Sequence, residues 1–164
     1  MSTGKTHQAA SLFLSAAFAL GSLKHPELLQ CSIGSLVGII LSPDQDVDNG
    51  NISNTIIKKQ VGWFGEKVWR WFWNPYSASF KHGRFGSHLP VYGTFTRLFY
   101  IFYILVVPIY LIYYVTLLFF SLHINLEQEL VWWLKFMFYS WITFGLCASD
   151  LIHFFLDILT TNSE

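Results

Sequence analysis

Four stretches of this chain carry side chains suited to holding a divalent metal. His7 stands near the start. Asp44, Asp46 and Asp48 follow in Ser42-Pro43-Asp44-Gln45-Asp46-Val47-Asp48. His82 and His88 come next, in Lys81-His82-Gly83-Arg84-Phe85-Gly86-Ser87-His88, and Asp150, His153 and Asp157 stand late in the sequence. Neutral imidazole and ionised carboxylate are ligand types of Zn, Mn and Fe sites, and a metal-bound water in such a site is a hydrolytic nucleophile. Asp150, His153 and Asp157 are spaced i, i+3, i+7, so they line one stripe of a helix. Asp-x-x-His repeats the ligand types of the other stretches, which favours metal for Asp150 and His153. Asp157 taken alone reads more simply as a helix-end residue meeting water.

Rival chemistries fail on their own rules. The Asp44, Asp46, Asp48 run resembles the opening of a calcium loop, but Asn49 stands where that loop needs glycine and Thr55 where it needs glutamate. Gly4-Lys5-Thr6 lacks the upstream glycine and the preceding strand of a phosphate loop. Ser87 beside His88 is a poor nucleophile–base pair, because adjacent residues rarely present that geometry. Cys31 and Cys147 lie inside apolar runs and read as small buried hydrophobes.

The elements that position the candidate ligands are membrane helices. Hydrophobic residues make up 53% of the chain and aromatics 19%, against 12% charged. Soluble domains carry about twice that charge fraction. Four apolar runs predict about four transmembrane helices, over residues 8–23, 28–43, 97–122 and 131–159, in a single all-α membrane domain. Leu98–Leu122 has no Asp, Glu, Lys or Arg over about 25 residues, enough to cross the hydrocarbon, and Pro108 predicts a kink in it. The first two runs are short but rich in small residues such as Ala16, Gly34 and Gly38, which suits close packing in lipid. A secretory leader is the competing reading of the first run, on Ala17-Phe18-Ala19.

Four spans bring the start of the first helix, the end of the second, the start of the third and the end of the fourth to one face. All four ligand stretches fall there, as do Lys5, Lys58, Lys59, Lys67, Arg70, Lys81, Arg84 and Arg97, whereas Lys24 and Lys135 fall opposite. That asymmetry predicts cytoplasmic termini. His25 and His123 lie across the membrane and read as bystanders. Residues 55–75 interleave Lys58, Lys59, Lys67 and Arg70 with Trp63, Phe64, Trp69, Trp71, Phe72 and Trp73, an interfacial segment in the headgroup layer. Zero net charge offers no nucleic-acid partner.

The order Gly4-Lys5-Thr6-His7, Ser42-Pro43-Asp44-x-Asp46, His82-x5-His88, Gly93-Thr94-x-x-Arg97-x-x-Tyr100 and Asp150-x-x-His153 resembles a bacterial family of metal-binding membrane proteins. That family is related to the inner-membrane metal-dependent hydrolases. The resemblance covers nearly the whole chain. It implies His7, Asp44, Asp46, His82, His88, Asp150 and His153 as metal ligands and the bacterial inner membrane as location. One departure is Gly83, where the family often has Arg directly after the first paired His; here the arginine is Arg84. The expectation is a membrane-embedded metal-dependent hydrolase of lipid-like or phosphate-ester substrates. It would hold two divalent ions, Zn ahead of Mn or Fe, with Arg84 as the clamp on the oxyanion or phosphate. The alternative is a non-enzymatic membrane protein with a structural metal site.

Overall fold

The computed structural model describes residues 4–46, 52–79, 89–120 and 126–161, and every regular element among them is helical. α1 (Gly4–Gly21) and α2 (Leu28–Ile40) form a hairpin. The Gly21 carbonyl accepts from the amides of Lys24 and His25 and closes the turn between them. A 3-10 turn, Pro43–Asp46, follows α2. α3 is Ile52–Ser79, with a non-helical break at Gly62. α4 (Pro90–Ile101) and α5 (Val107–Phe120) are joined without a gap by a π-helical stretch, Phe102–Val106. Pro108 explains that stretch. Its ring crowds the carbonyl four residues back and its nitrogen has no hydrogen to donate, so the preceding turn widens. The expected kink therefore takes the form of a π segment.

The apolar run 131–159 is two helices rather than one, α6 (Leu126–Tyr139) and α7 (Trp141–Thr161). Ser140 divides them. Its hydroxyl accepts the Thr143 amide at 3.1 Å, an N-cap for α7 that hydropathy alone does not reveal. The third long helix likewise begins earlier than expected, at Pro90, where the fixed φ of proline suits a first helical turn. Arg97 consequently sits two turns inside the helix.

α1, α2 and α7 pack as the core, and α4 covers another side of α7. Small residues set the closeness of α2 to α7. A Cβ on Gly34 would meet the Ile142 carbonyl, and one on Gly145 would meet the Cys31 carbonyl. The Ser35 hydroxyl donates to the Gly145 carbonyl at 3.1 Å across the same seam. Ser11 meets Ser149 at 2.7 Å and Ser15 meets Ser32 at 2.8 Å, hydroxyl to hydroxyl, tying α1 to both partners. Small residues and interhelical hydrogen bonds thus hold the three helices together, a mode of packing that membrane helices also use.

Two helical stretches are long and apolar enough to cross a membrane, Pro90–Phe119 and Trp141–Thr160, and α2 is a shorter apolar helix. The first stretch buries almost none of its apolar surface in the protein. Tyr103, Ile109, Ile112, Leu118 and Phe119 are each more than 60% exposed. An apolar surface of that extent marks contact with lipid or another apolar partner.

Candidate metal centre

Three elements deliver ligand-type side chains to one point. His7 comes from the first turns of α1, where α1 meets α7, and is 7% exposed. His153 and Asp157 come from α7, one turn apart and hence on one face. Asp44 comes from the 3-10 turn that follows α2. His7 and His153 stack face to face, with ring centroids 3.6 Å apart and planes 9° from parallel. His7 Nε2 lies 3.2 Å from Asp157 Oδ1, and His153 Nε2 lies 3.4 Å from Asp157 Oδ2. His153 Nε2 is also 3.5 Å from Asp44 Oδ1. One ligand atom each from His7, His153 and Asp157 fall within 4.8 Å of one another.

The donor set fits a divalent ion. A tetrahedral site with bonds of about 2.0–2.1 Å has ligand–ligand edges of about 3.3 Å, close to the nitrogen–oxygen separations observed. A cation lets both rings stay neutral while it balances the carboxylates. Beside the cluster is a cavity of about 10 Å³, lined by His7, Ser11, Ser42, Asp44, Ser149 and His153, with room for little more than one water-sized particle. The Ser42 hydroxyl and His7 Nδ1 are buried without a hydrogen-bond partner among the described residues, as groups awaiting a further ligand would be.

Of the expected ligands, the structure brings together His7, Asp44 and His153. It adds Asp157, which taken alone reads as a helix-end residue; its position one turn beyond His153 is the signal for it. Asp150 is placed elsewhere. Arg97 and Thr94 of α4 both donate to its Oδ2, and all three residues are buried. Asp150 lies seven residues before Asp157, about 10 Å along the helix axis. The i, i+3, i+7 stripe therefore reaches from mid-helix to the cluster, and its lower member is occupied by an arginine. His82, His88 and Arg84 lie outside the described residues, and so does the side chain of Asp46. His25 sits at the far end of the α1–α2 hairpin, 3.3 Å from Glu27 and exposed, as expected of a bystander.

A family model described as "Uncharacterized metal-binding protein (DUF2227)" matches residues 2–164. No curated protein and no solved structure matches the chain.

Proposed function

The chain belongs to that family of metal-binding proteins, and from this premise we propose that it is a membrane-embedded metal protein whose ions lie against His7, Asp44, His153 and Asp157. One observation carries the reading: two parallel imidazoles, each turning Nε2 to a different oxygen of the Asp157 carboxylate. Two ions, one held by each imidazole with Asp157 shared between them, would supply the chemistry of a two-metal hydrolytic site. In this reading His82, His88 and Asp46 complete the coordination, and Arg84 holds the anionic part of a lipid-like or phosphate-ester substrate. Divalent ions bound here supply a polarised water and neutralise charge developing on a phosphoryl oxygen. The chain's own residues fix the imidazoles by stacking and shield the cluster from bulk water.

The exposed apolar surface of Pro90–Phe119 supports membrane embedding. In the sequence, the bases of the segment between α2 and α4 outnumber the single Lys24 of the α1–α2 turn, which supports cytoplasmic termini in a bacterial inner membrane. A second reading, a structural metal site, is favoured by the small volume of the cavity beside the cluster.

Elemental analysis of detergent-purified protein tests the first reading. Two equivalents of metal per chain are expected. One equivalent overturns the bridged pair, and none after supply of Zn, Mn and Fe overturns the site. Cleavage of bis(p-nitrophenyl) phosphate by the loaded protein, lost with His153→Ala, supports hydrolysis; full metal with no cleavage of this or a phospholipid ester supports the structural site.

A further inference from the structure

α3 is held at its two ends and turned outward between them. At its start the Ser53 hydroxyl donates to the Ile40 carbonyl at the end of α2, at 2.7 Å. At its finish Trp73 and Tyr76 are buried against Tyr100 of α4, and the Tyr100 hydroxyl donates to the Phe72 carbonyl. Between these anchors Gly62 adopts φ 84°, a conformation that side chains resist, and the helix restarts beyond it. From there Trp63, Phe64, Val68 and Trp71 follow at i, i+1, i+5 and i+8, which puts them on one face. They are 62%, 69%, 48% and 77% exposed. The opposite face carries Trp69 and Trp73, which turn toward the protein. Both faces of this helix are thus apolar, and the outer one lacks a protein partner among the described residues.

Cations accompany the outer face along α3. Lys67 holds its ammonium 4.3 Å above the Trp63 ring. Lys58 and Lys59 precede the break and Arg70 follows it. Against these four bases α3 carries one acid, Glu66, which Lys58 meets at 3.1 Å. Exposed tryptophans favour the boundary between headgroups and hydrocarbon, and basic side chains beside them favour a negatively charged surface. Lys67 fits both demands, its stem lying along the aromatic ring and its charge reaching outward.

We propose that the outer face of α3 is a binding surface for anionic phospholipid headgroups. The inference rests on the membrane placement proposed above and is independent of the metal. A neutral bilayer surface does not call for the excess of bases over acids that α3 carries beside its exposed aromatic residues, whereas an anionic one complements it.

The test is native mass spectrometry of the full-length protein in detergent, titrated with equal amounts of phosphatidylglycerol and phosphatidylcholine. Phosphatidylglycerol adducts should exceed phosphatidylcholine adducts roughly fivefold or more, about the factor that one basic contact at an anionic surface gives. In the variant Lys58→Gln, Lys59→Gln, Lys67→Gln, Arg70→Gln the ratio should fall to near one, with helicity and metal content as in the parent. Trp63→Ser with Trp71→Ser should weaken both lipids and leave the ratio. A parent without preference, a quadruple variant that keeps it, or displacement of phosphatidylglycerol by a DNA oligonucleotide overturns the proposal. Alkaline carbonate extraction keeps the two ideas apart. Release of the parent from membranes sinks the membrane-spanning reading, whereas lost lipid preference in a carbonate-resistant protein sinks the headgroup surface alone.

Discussion

Asp150 and Asp157 are two carboxylates two turns apart on α7, and their neighbours give them opposite tasks. Asp150 is neutralised by Arg97 with help from Thr94. Asp157 faces the imidazoles of His7 and His153. A buried ion pair adds little net stability, but removing one partner strands the other. Arg97→Ala should therefore lower stability by about 3–5 kcal/mol, and Arg97→Met combined with Asp150→Leu should recover most of it, both read by thermal unfolding in detergent. Neither change touches a proposed ligand, so metal content per folded chain should hold. His7→Ala, His153→Ala and Asp157→Asn should each reduce bound metal, whereas His25→Ala should not; retention of full metal in the first three would remove the cluster as the site. His7, Asp44 and His153 were legible in the sequence because residue type and order both pointed to them. Asp157 was not, since an acid near a helix end has an ordinary use. Arg97 was misplaced for a different reason. The uncharged run set the helix start at the arginine itself, while the true start at Pro90 puts its charge inside, where only a carboxylate could accept it.

At the scale of elements, hydropathy located the helices and missed their punctuation. Nothing in the apolar pattern of 131–159 marks a break, because Ser140 acts through its hydroxyl on the Thr143 amide. Ser140→Ala should cost about 0.5–2 kcal/mol, measured as a shift in the unfolding midpoint. The small residues of α2 were legible as packing residues, but their counterpart in α7 was not. Gly145 matters as much as Gly34, for each meets a backbone carbonyl of the other helix where a Cβ would stand. This seam also sets the metal centre, since α2 leads directly into the turn that carries Asp44 and α7 carries His153. Gly145→Val should force the two helices apart at a cost of about 1–3 kcal/mol. It should also weaken metal retention against a chelator, although no ligand is altered. Unchanged retention in a destabilised Gly145→Val protein would show that Asp44 is not needed.

For the whole molecule, the contacts of the cluster fix which helix ends share a side. His7 near the start of α1, Asp44 just past α2 and Asp157 near the end of α7 are within a few ångströms of a common point. The Lys24–Glu27 turn, at the other end of the α1–α2 hairpin, must then lie away from them. Chain order was enough to read the α1–α2 part of this arrangement, because a hairpin allows only one pairing of ends; that the end of α7 joins them is seen in the contact of Asp157 with His7. How many of the helices would cross a bilayer in the proposed membrane placement was less legible. α2 has 13 residues, about 20 Å of helix against a hydrocarbon core of about 30 Å. It can reach across only if the bilayer thins or its flanking residues extend the apolar length. α1, by contrast, has 18 residues interrupted by serines that bond to α2 and α7. Its polarity is turned inward, so low hydropathy does not bar it from lipid. These facts make the α1–α2 hairpin the decisive segment. If it crosses, a reporter inserted between Lys24 and Glu27 should report the periplasmic side, and reporters fused at Met1 and Glu164 should both report the cytoplasmic side. If all three report the cytoplasm, the hairpin dips into one leaflet and returns, and the bundle spans the membrane by α4–α5 and α7 alone. The metal cluster would survive that outcome, since it needs only the ends that already meet; the four-span bundle would not.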